Sequence, residues 1–305
     1  MNRENITNQK FLDAVMAGGE NLQKLASATS FFIKDGVREK SFLDEVIPLI
    51  TVQKEDLDRR IEDDFPMVLC EIEQGAEAKR INFRGKPDDK YFTGLKYPVL
   101  FDKIVSPFIR KSEAELMTIR HPITQVIEDR IIKDMARVRD EAFIDTCDAM
   151  VADTGQTANF VGNFGRAAIS AGLDLLEGTG NQPCGCILMS KTAWNQYNAA
   201  AAIEEGNDVV TEMVRTGYQS KTVMGYKVIV TQKPFYMTGT KSGGLGACKD
   251  YIYFFSPPDY LGHNFVLQEP TFQVKKEMDI IEMVCWGFYG AGIGNKRGVA
   301  RIRLT

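Results

Sequence analysis

An α+β fold is predicted by three features of the sequence: a helical period sustained over residues 122–152, a period of two over residues 67–106, and a return to strand-like runs at the end of the chain. In the first stretch Ile123, Ile127, Ile131, Met135, Val138 and Ala142 recur on one stripe, while Glu128, Lys133, Arg137 and Asp140 lie off it. Pro122 suits the first helical position, where its missing amide hydrogen would be unpaired in any case, and Gly155 supplies a stop. At 1.5 Å per residue such a helix is roughly 45 Å long, well above the usual length in globular domains. Charges on every turn exclude a membrane span, and four-residue steps oppose a coiled-coil seam. What remains is a strut, a spine to which other elements attach.

Residues 1–66 read as an arm, because their apolar residues come in short clusters separated by breaks. Phe11, Leu12, Val15 and Met16 make about two helical turns, Gly18 and Gly19 interrupt them, and Leu22 and Leu25 resume weakly. Ser41 with Asp44 can cap a short turn ahead of Val46 and Ile47, which Pro48 ends. No piece of this region can bury a core alone, so it is expected to lie against another surface, the alternative being a frayed terminus.

The period then changes. Cys70 and Ile72 alternate with Glu71 and Glu73, and Ile81 and Phe83 alternate with Arg80, Asn82 and Arg84. Gly75 separates these runs, and a turn at residues 85–89, which contains Lys86 and is followed by Lys90, precedes a third extended run over 91–101. The product is a polar β ribbon, marginal in isolation, since each face carries few apolar side chains and no third layer covers them. Glu71 and Glu73 are placed to pair across strands with Arg80 or Arg84, each exposed pair contributing under about 1 kcal/mol. A hairpin folded back on its own domain is the plainer alternative to packing on another molecule.

Beyond the spine, residues 166–177 carry Ile169, Leu173 and Leu176 on one helical face, closed by Gly178 and Gly180. An α/β run follows: a strand at 186–189, a helix capped by Ser190 through Trp194 and Tyr197, another helix at 208–214 and a strand at 226–230. Two turn-rich loops interrupt it, one around Glu204 and Glu205, the other a glycine cluster that includes Gly243 and Gly244. Residues 251–255, 264–267, 271–276, 280–288 and 299–304 then read as strands, with Arg301 and Arg303 alternating with Ala300, Ile302 and Leu304.

Bulk properties narrow the function. The formal charge of −4 offers no general basic surface for nucleic acid or anionic lipid. No run approaches the 18 to 20 apolar residues of a membrane helix, so a soluble protein is expected. Six scattered cysteines behind a polar start read as reduced thiols in a cytosolic setting. No cofactor or metal motif is found. His121 and His263 lack the neighbours of a metal site, and Cys184 and Cys186 are one residue apart with no second pair, which suits two buried thiols. Gly290, Gly292 and Gly294 resemble a dinucleotide loop but lead into a strand, so no helix N-terminus would hold a pyrophosphate. Carboxylate pairs such as Asp88 with Asp89 fall in polar turns, where solvated charge is the default.

In order and spacing the chain resembles the major capsid proteins of tailed bacteriophages, with the Hong Kong 97-type fold shared by encapsulin shells, over nearly its whole length. The resemblance is carried by Leu49-Ile50-Thr51-Val52, by Asp64-Phe65-Pro66 running into the ribbon, by Glu113-Ala114-Glu115-Leu116 ahead of the spine, and by Gln268-Glu269-Pro270-Thr271 through Trp286-Gly287 to Gly298-Val299-Ala300-Arg301-Ile302. It implies an N-terminal arm at 1–66, an extended E-loop hairpin at 67–110, a P-domain at 111–180 with spine helix 122–152, an A-domain at 181–267, P-domain return strands at 268–295, and a C-terminal strand at 296–305 returning to the A-domain.

It further implies a structural protein with no catalytic role. Such a chain self-assembles through pentamers and hexamers into an icosahedral head and encloses double-stranded DNA that it contacts weakly. Separate scaffolding, portal and decoration proteins are its possible partners. The location implied is the virion capsid, and the host cytoplasm during assembly. Arm and ribbon would lie across neighbouring subunits, making Glu71, Glu73, Arg80, Arg84, Lys86 and Lys90 intersubunit residues, while Glu204, Glu205, Gly243 and Gly244 would meet at capsomer axes. The covalent crosslink of some members is not implied, because no partner asparagine and assisting glutamate match. An encapsulin-type compartment is the alternative in the same fold, and an α/β enzyme with a site near Cys184, Cys186 and His263 the alternative outside it.

Overall fold

The structure, a computed structural model, describes residues 11, 13, 15, 19–58, 66–72, 80, 85, 95–118, 123–161, 165–204, 222–231 and 251–304. Its centre is a helix, α4 (Ile123–Thr154), 32 residues long, within two residues of the expected spine at each end. Gly155, at φ +70°, follows it in the left-handed conformation that a glycine adopts without steric cost, and its amide bonds back to the Val151 carbonyl at 2.9 Å.

Two antiparallel runs, β11 (Gly262–Glu277) and β12 (Ile280–Ile293), form the backbone of the first sheet. β1 (Leu49–Thr51) adds parallel to β11, while β4 (Asp102–Val105) and β5 (Ile109–Ser112) add in succession to the outer side of β12. The expected strands 264–267 and 271–276 are therefore one strand, which also crosses the expected division at 267/268. Its register shifts between Val266 and Gln268 and again between Gln268 and Thr271, where Pro270 cannot donate to the ladder.

One face of this sheet is covered by α4 and by α1 (Gly19–Lys40). Ile33 and Val37 of α1 are buried with Ile127, Ile131, Ile132 and Met135 of α4 and with Val266, Phe272 and Cys285 of the sheet, in a cluster that also includes Phe11 and Val15. Gly36 lets the helices approach, since a side-chain carbon there would stand 2.6 Å from Ile132. This corrects the reading of residues 19–46 as short pieces laid on another surface: they form a 22-residue helix and a short turn, α2 (Leu43–Val46), built into the chain's own core. The signal was present as Leu25, Thr29, Ile33 and Val37 at four-residue steps, blurred by Phe31 and Phe32, which point out and are 60% and 64% exposed.

A second sheet runs β6 (Thr157–Phe160), β13 (Val299–Leu304), β10 (Tyr251–Phe255), β7 (Cys186–Ser190), β9 (Tyr226–Thr231), β8 (Thr222–Val223). Both faces of its centre are covered, which is why Cys186–Ser190 is apolar almost throughout and wholly buried. On one face lie Phe143, Ile144, Cys147 and Val151 of α4, with Phe42, Leu43, Val46 and Ile47. On the other lie α5 (Arg166–Leu173), its π-helical continuation Asp174–Thr179, and α6 (Lys191–Glu204), around Ile169, Trp194 and Phe254. The N-terminal half of α4 thus belongs to one core and its C-terminal half to another. Asp148 completes the second attachment, accepting from the Tyr253 hydroxyl at 2.7 Å and from Arg301 at 2.8 Å.

β2 (Met67–Ile72) pairs antiparallel with β3 (Leu95–Leu100), joining the first and third expected runs. The base of the ribbon is anchored in a small cluster of Val52, Cys70, Val99, Phe101 and Phe265. Here the glycine-rich run finds its use: Gly290 and Gly292 lie within β12, and a side-chain carbon on either would come within 2.7 Å of the Leu100 carbonyl or 2.6 Å of Val99. They are the seat of the ribbon.

Candidate functional site

Chemistry and surface both concentrate where the spine, the ribbon base and the N-terminal turn meet. Arg139, from the middle of α4, has a side chain only 1% exposed, and its guanidinium holds Asp44 of α2 in a two-pronged pair at 2.7 and 3.2 Å. The Asn264 amide donates to Asp44 at 2.9 Å and to the Ile47 carbonyl at 3.2 Å, while the Tyr289 ring lies 4.5 Å from the guanidinium carbon. Next along the helix Asp140, fully buried, accepts from the Ser41 hydroxyl at 2.6 Å and the Leu43 amide at 3.3 Å. Four elements are locked by these bonds, each carboxylate being held by donors from other elements.

Over this cluster opens a cavity of 440 Å³, walled by β4 and the adjoining Leu100 on one side and by Val138, Ala142 and Thr146 of α4 on the other. Leu100 and Val138 leave large apolar side chains 51% and 39% exposed along this cavity, and Val105 and Phe108, on and just after β4, are 46% and 63% exposed. Elsewhere Met278, 91% exposed at the tip of the β11–β12 hairpin and held at φ 55°, presents another apolar knob.

The thiols are arranged for packing. Cys184 and Cys186 are buried in different clusters, and burial pushes each up to about 12; Cys285 is pushed likewise to about 12, and Cys70 and Cys147 are raised by burial as well. Since the thiolate is the reactive form, iodoacetamide at pH 8 is expected to leave these five unmodified in the folded chain and to modify all of them in denaturant, as mapped by peptide mass spectrometry. Modification of Cys184 without unfolding would contradict the packing. The linkage has a definite sign: the unfolded thiols lose protons from pH 9 while Cys184, Cys186 and Cys285 hold theirs to about 12, so this contribution is intact below pH 9 and lost as pH rises through that window. His263 lies apart from both cysteines, its Nδ1 2.7 Å from the Tyr97 hydroxyl and its ring stacked on Phe265 at the ribbon base. The proposed grouping of Cys184, Cys186 and His263 is not assembled.

Among the other expected site residues, Glu71 lies on β2 and pairs with Lys96 at 2.7 Å, opposite it in register. Arg80 is exposed. Glu204 ends α6. Glu73, Arg84, Lys86, Lys90, Glu205, Gly243 and Gly244, with the expected helix at 208–214, lie outside the described residues. Among the described residues no three histidine, cysteine or acidic side chains cluster to hold a metal, and no helix is long and apolar enough to cross a membrane. The surfaces that sequence reasoning missed are the Arg139 cluster and the cavity above it. Arg139 and Asp140 sit next to each other inside an otherwise amphipathic helix, and two adjacent charges flanking the apolar stripe were the available hint.

One helix threads two cores and a ribbon is anchored at its base, and solved structures of phage proteins resemble this α+β arrangement. A structure from Gordonia phage Cozz superposes with a TM-score of 0.62 at 11% identity, covering 87% of each chain. One from Microbacterium phage Oxtober96 gives 0.60 at 8%, covering 87% of this chain and 91% of the other. The mature capsid of bacteriophage PhiM1 gives 0.57 at 12%, covering 87% of both. The chain therefore has the α+β, Hong Kong 97-type fold of phage capsid subunits. No protein-family model matches the sequence. No curated protein sequence matches it either.

Proposed function

We propose that the chain is a major capsid protein, which self-assembles through pentamers and hexamers into the icosahedral head of a tailed bacteriophage and encloses double-stranded DNA. The observation that carries this reading is a likeness to a mature phage capsid subunit over 87% of both chains, too extensive to come from a shared module. The anatomy supports it. Exposed large apolar side chains, among them Leu100, Val105, Phe108 and Val138, need a partner to cover them.

On this reading residues 67–110 are the E-loop, 111–180 and 268–295 the P-domain, and 181–267 with 296–305 the A-domain, with its loops at Glu204, Glu205, Gly243 and Gly244 directed to the capsomer axes. Glu71, Glu73, Arg80, Arg84, Lys86 and Lys90 are intersubunit residues. The net charge of −4 suits an inner wall that does not grip DNA, and the product of the protein is a shell, with no turnover. Scaffolding, portal and decoration proteins are its further partners, and the host cytoplasm is where it assembles. Negative-stain microscopy of the expressed protein, alone and with any scaffold encoded beside it, is expected to show capsomers or closed shells. Compact monomers persisting at high concentration under both conditions would sink this reading.

A further inference from the structure

One side of α4 carries charges that its own chain pairs only in part. Arg130, Asp134, Arg137, Glu141 and Asp145 follow one another at steps of three or four residues, so they share one face of the helix. In the middle Arg137 bridges Asp134 at 4.0 Å and Glu141 at 3.7 Å. At the two ends Arg130 and Asp145 are exposed, and neither has an ion pair among the described residues. Two exposed apolar side chains border the row: Val126, 50% exposed, one turn before Arg130, and Val138, 39% exposed, near its midpoint. Ala149, one turn beyond Asp145, is exposed and small.

A row with an unpaired cation at one end and an unpaired carboxylate at the other, about 22 Å away along the helix, is complementary to itself when reversed. A second copy laid antiparallel, with the two-fold axis between Arg137 and Val138, sets Arg130 opposite Asp145 twice and Val126 opposite Ala149 twice, with the two Val138 side chains beside the axis. Asp134 then faces Glu141, but each is already held by the Arg137 of its own chain. A parallel copy would bring Arg130 onto Arg130, and a nucleic acid would meet the carboxylates of Glu141 and Asp145. We propose that α4 pairs antiparallel with α4 of a second copy across a two-fold axis, through the row from Val126 to Ala149. This rests on the self-assembly proposed above and concerns a contact of helix with helix, in which the ribbon takes no part. The row is narrow, so one such pair is weak and gains its effect by repetition around a shell.

The test uses full-length chains. Arg130→Glu and Asp145→Lys are each expected to lower the yield of shells about tenfold, with circular dichroism unchanged because neither residue has a described ion pair in its own chain to lose. Mixing the two variants is expected to restore the yield, since in a mixed pair both opposed positions again carry opposite signs. Val138→Cys, beside the axis, is expected to give a disulfide-linked dimer with itself when the assembled chain is mildly oxidised, and adding Arg130→Glu to that chain should reduce the dimer about tenfold. Shells that lack the dimer, or whose yield ignores the reversals, overturn the proposal and leave the capsid reading intact. So do single reversals that the mixture fails to rescue. If no shells form, the capsid reading fails on its own, and oxidation of the concentrated Val138→Cys chain still decides the contact: a dimer that Arg130→Glu suppresses supports it, and any other outcome overturns it.

Discussion

Arg139→Ala is expected to destabilise the chain by about 3–5 kcal/mol, because it strands a carboxylate in the interior. Asp44 would keep the Asn264 amide but lose both guanidinium bonds, and the Tyr289 ring would lose the cation it covers. The cluster joins the N-terminal turn, the spine, β11 and β12, so its loss should loosen all four at once and lower the midpoint of denaturant unfolding with little change in slope. A pair this deeply buried is not itself a large source of stability, since desolvating two charges offsets most of their attraction. Replacing both partners, Asp44→Val with Arg139→Leu, is therefore expected to recover most of the loss. A single Arg139→Ala change under about 1 kcal/mol would mean that water reaches the cluster, and that its role in fixing the N-terminal turn is slight.

Replacing residues 76–90 with a short link is expected to abolish assembly while leaving the subunit folded. The described anchor of the ribbon is at its base, where Cys70, Val99 and Phe101 lie outside the replaced stretch and remain. The ion pair at the start of the ribbon, Glu71 with Lys96, has both side chains more than half exposed and contributes little to folding. Circular dichroism and the unfolding midpoint of the shortened chain should match those of the full chain, and microscopy should show no shells. An unfolded product would place the ribbon in a core of its own subunit. A folded product that still assembles would remove the ribbon from the assembly surface.

The legibility of the fold followed the range of the forces that made each element. The spine was readable within two residues because a helix of this length repeats the same local pattern many times, and Gly155 marks its end by backbone freedom alone. The terminal strands were readable for the same reason, except at Pro270, where a register shift inside one continuous strand looks locally like a break between two. The 22-residue helix α1 was missed because two exposed phenylalanines beside its buried stripe disguise the period, and only the surface it packs on decides which side is inside.

The sequence by itself determined that this is an α+β chain with one long helix, a polar ribbon and buried thiols, because periodicity, turn residues and burial preference act over a few residues at a time. Tertiary structure decided where the N-terminal segment goes, that Gly290 and Gly292 seat the ribbon, and that Asp44, Arg139, Asn264 and Tyr289 converge beneath a slot. Those four come from elements up to 245 positions apart in sequence, from Asp44 to Tyr289. No local pattern encodes such a meeting; it follows from two sheets sharing one helix, and from the need of a buried charge to find its partner wherever the chain returns.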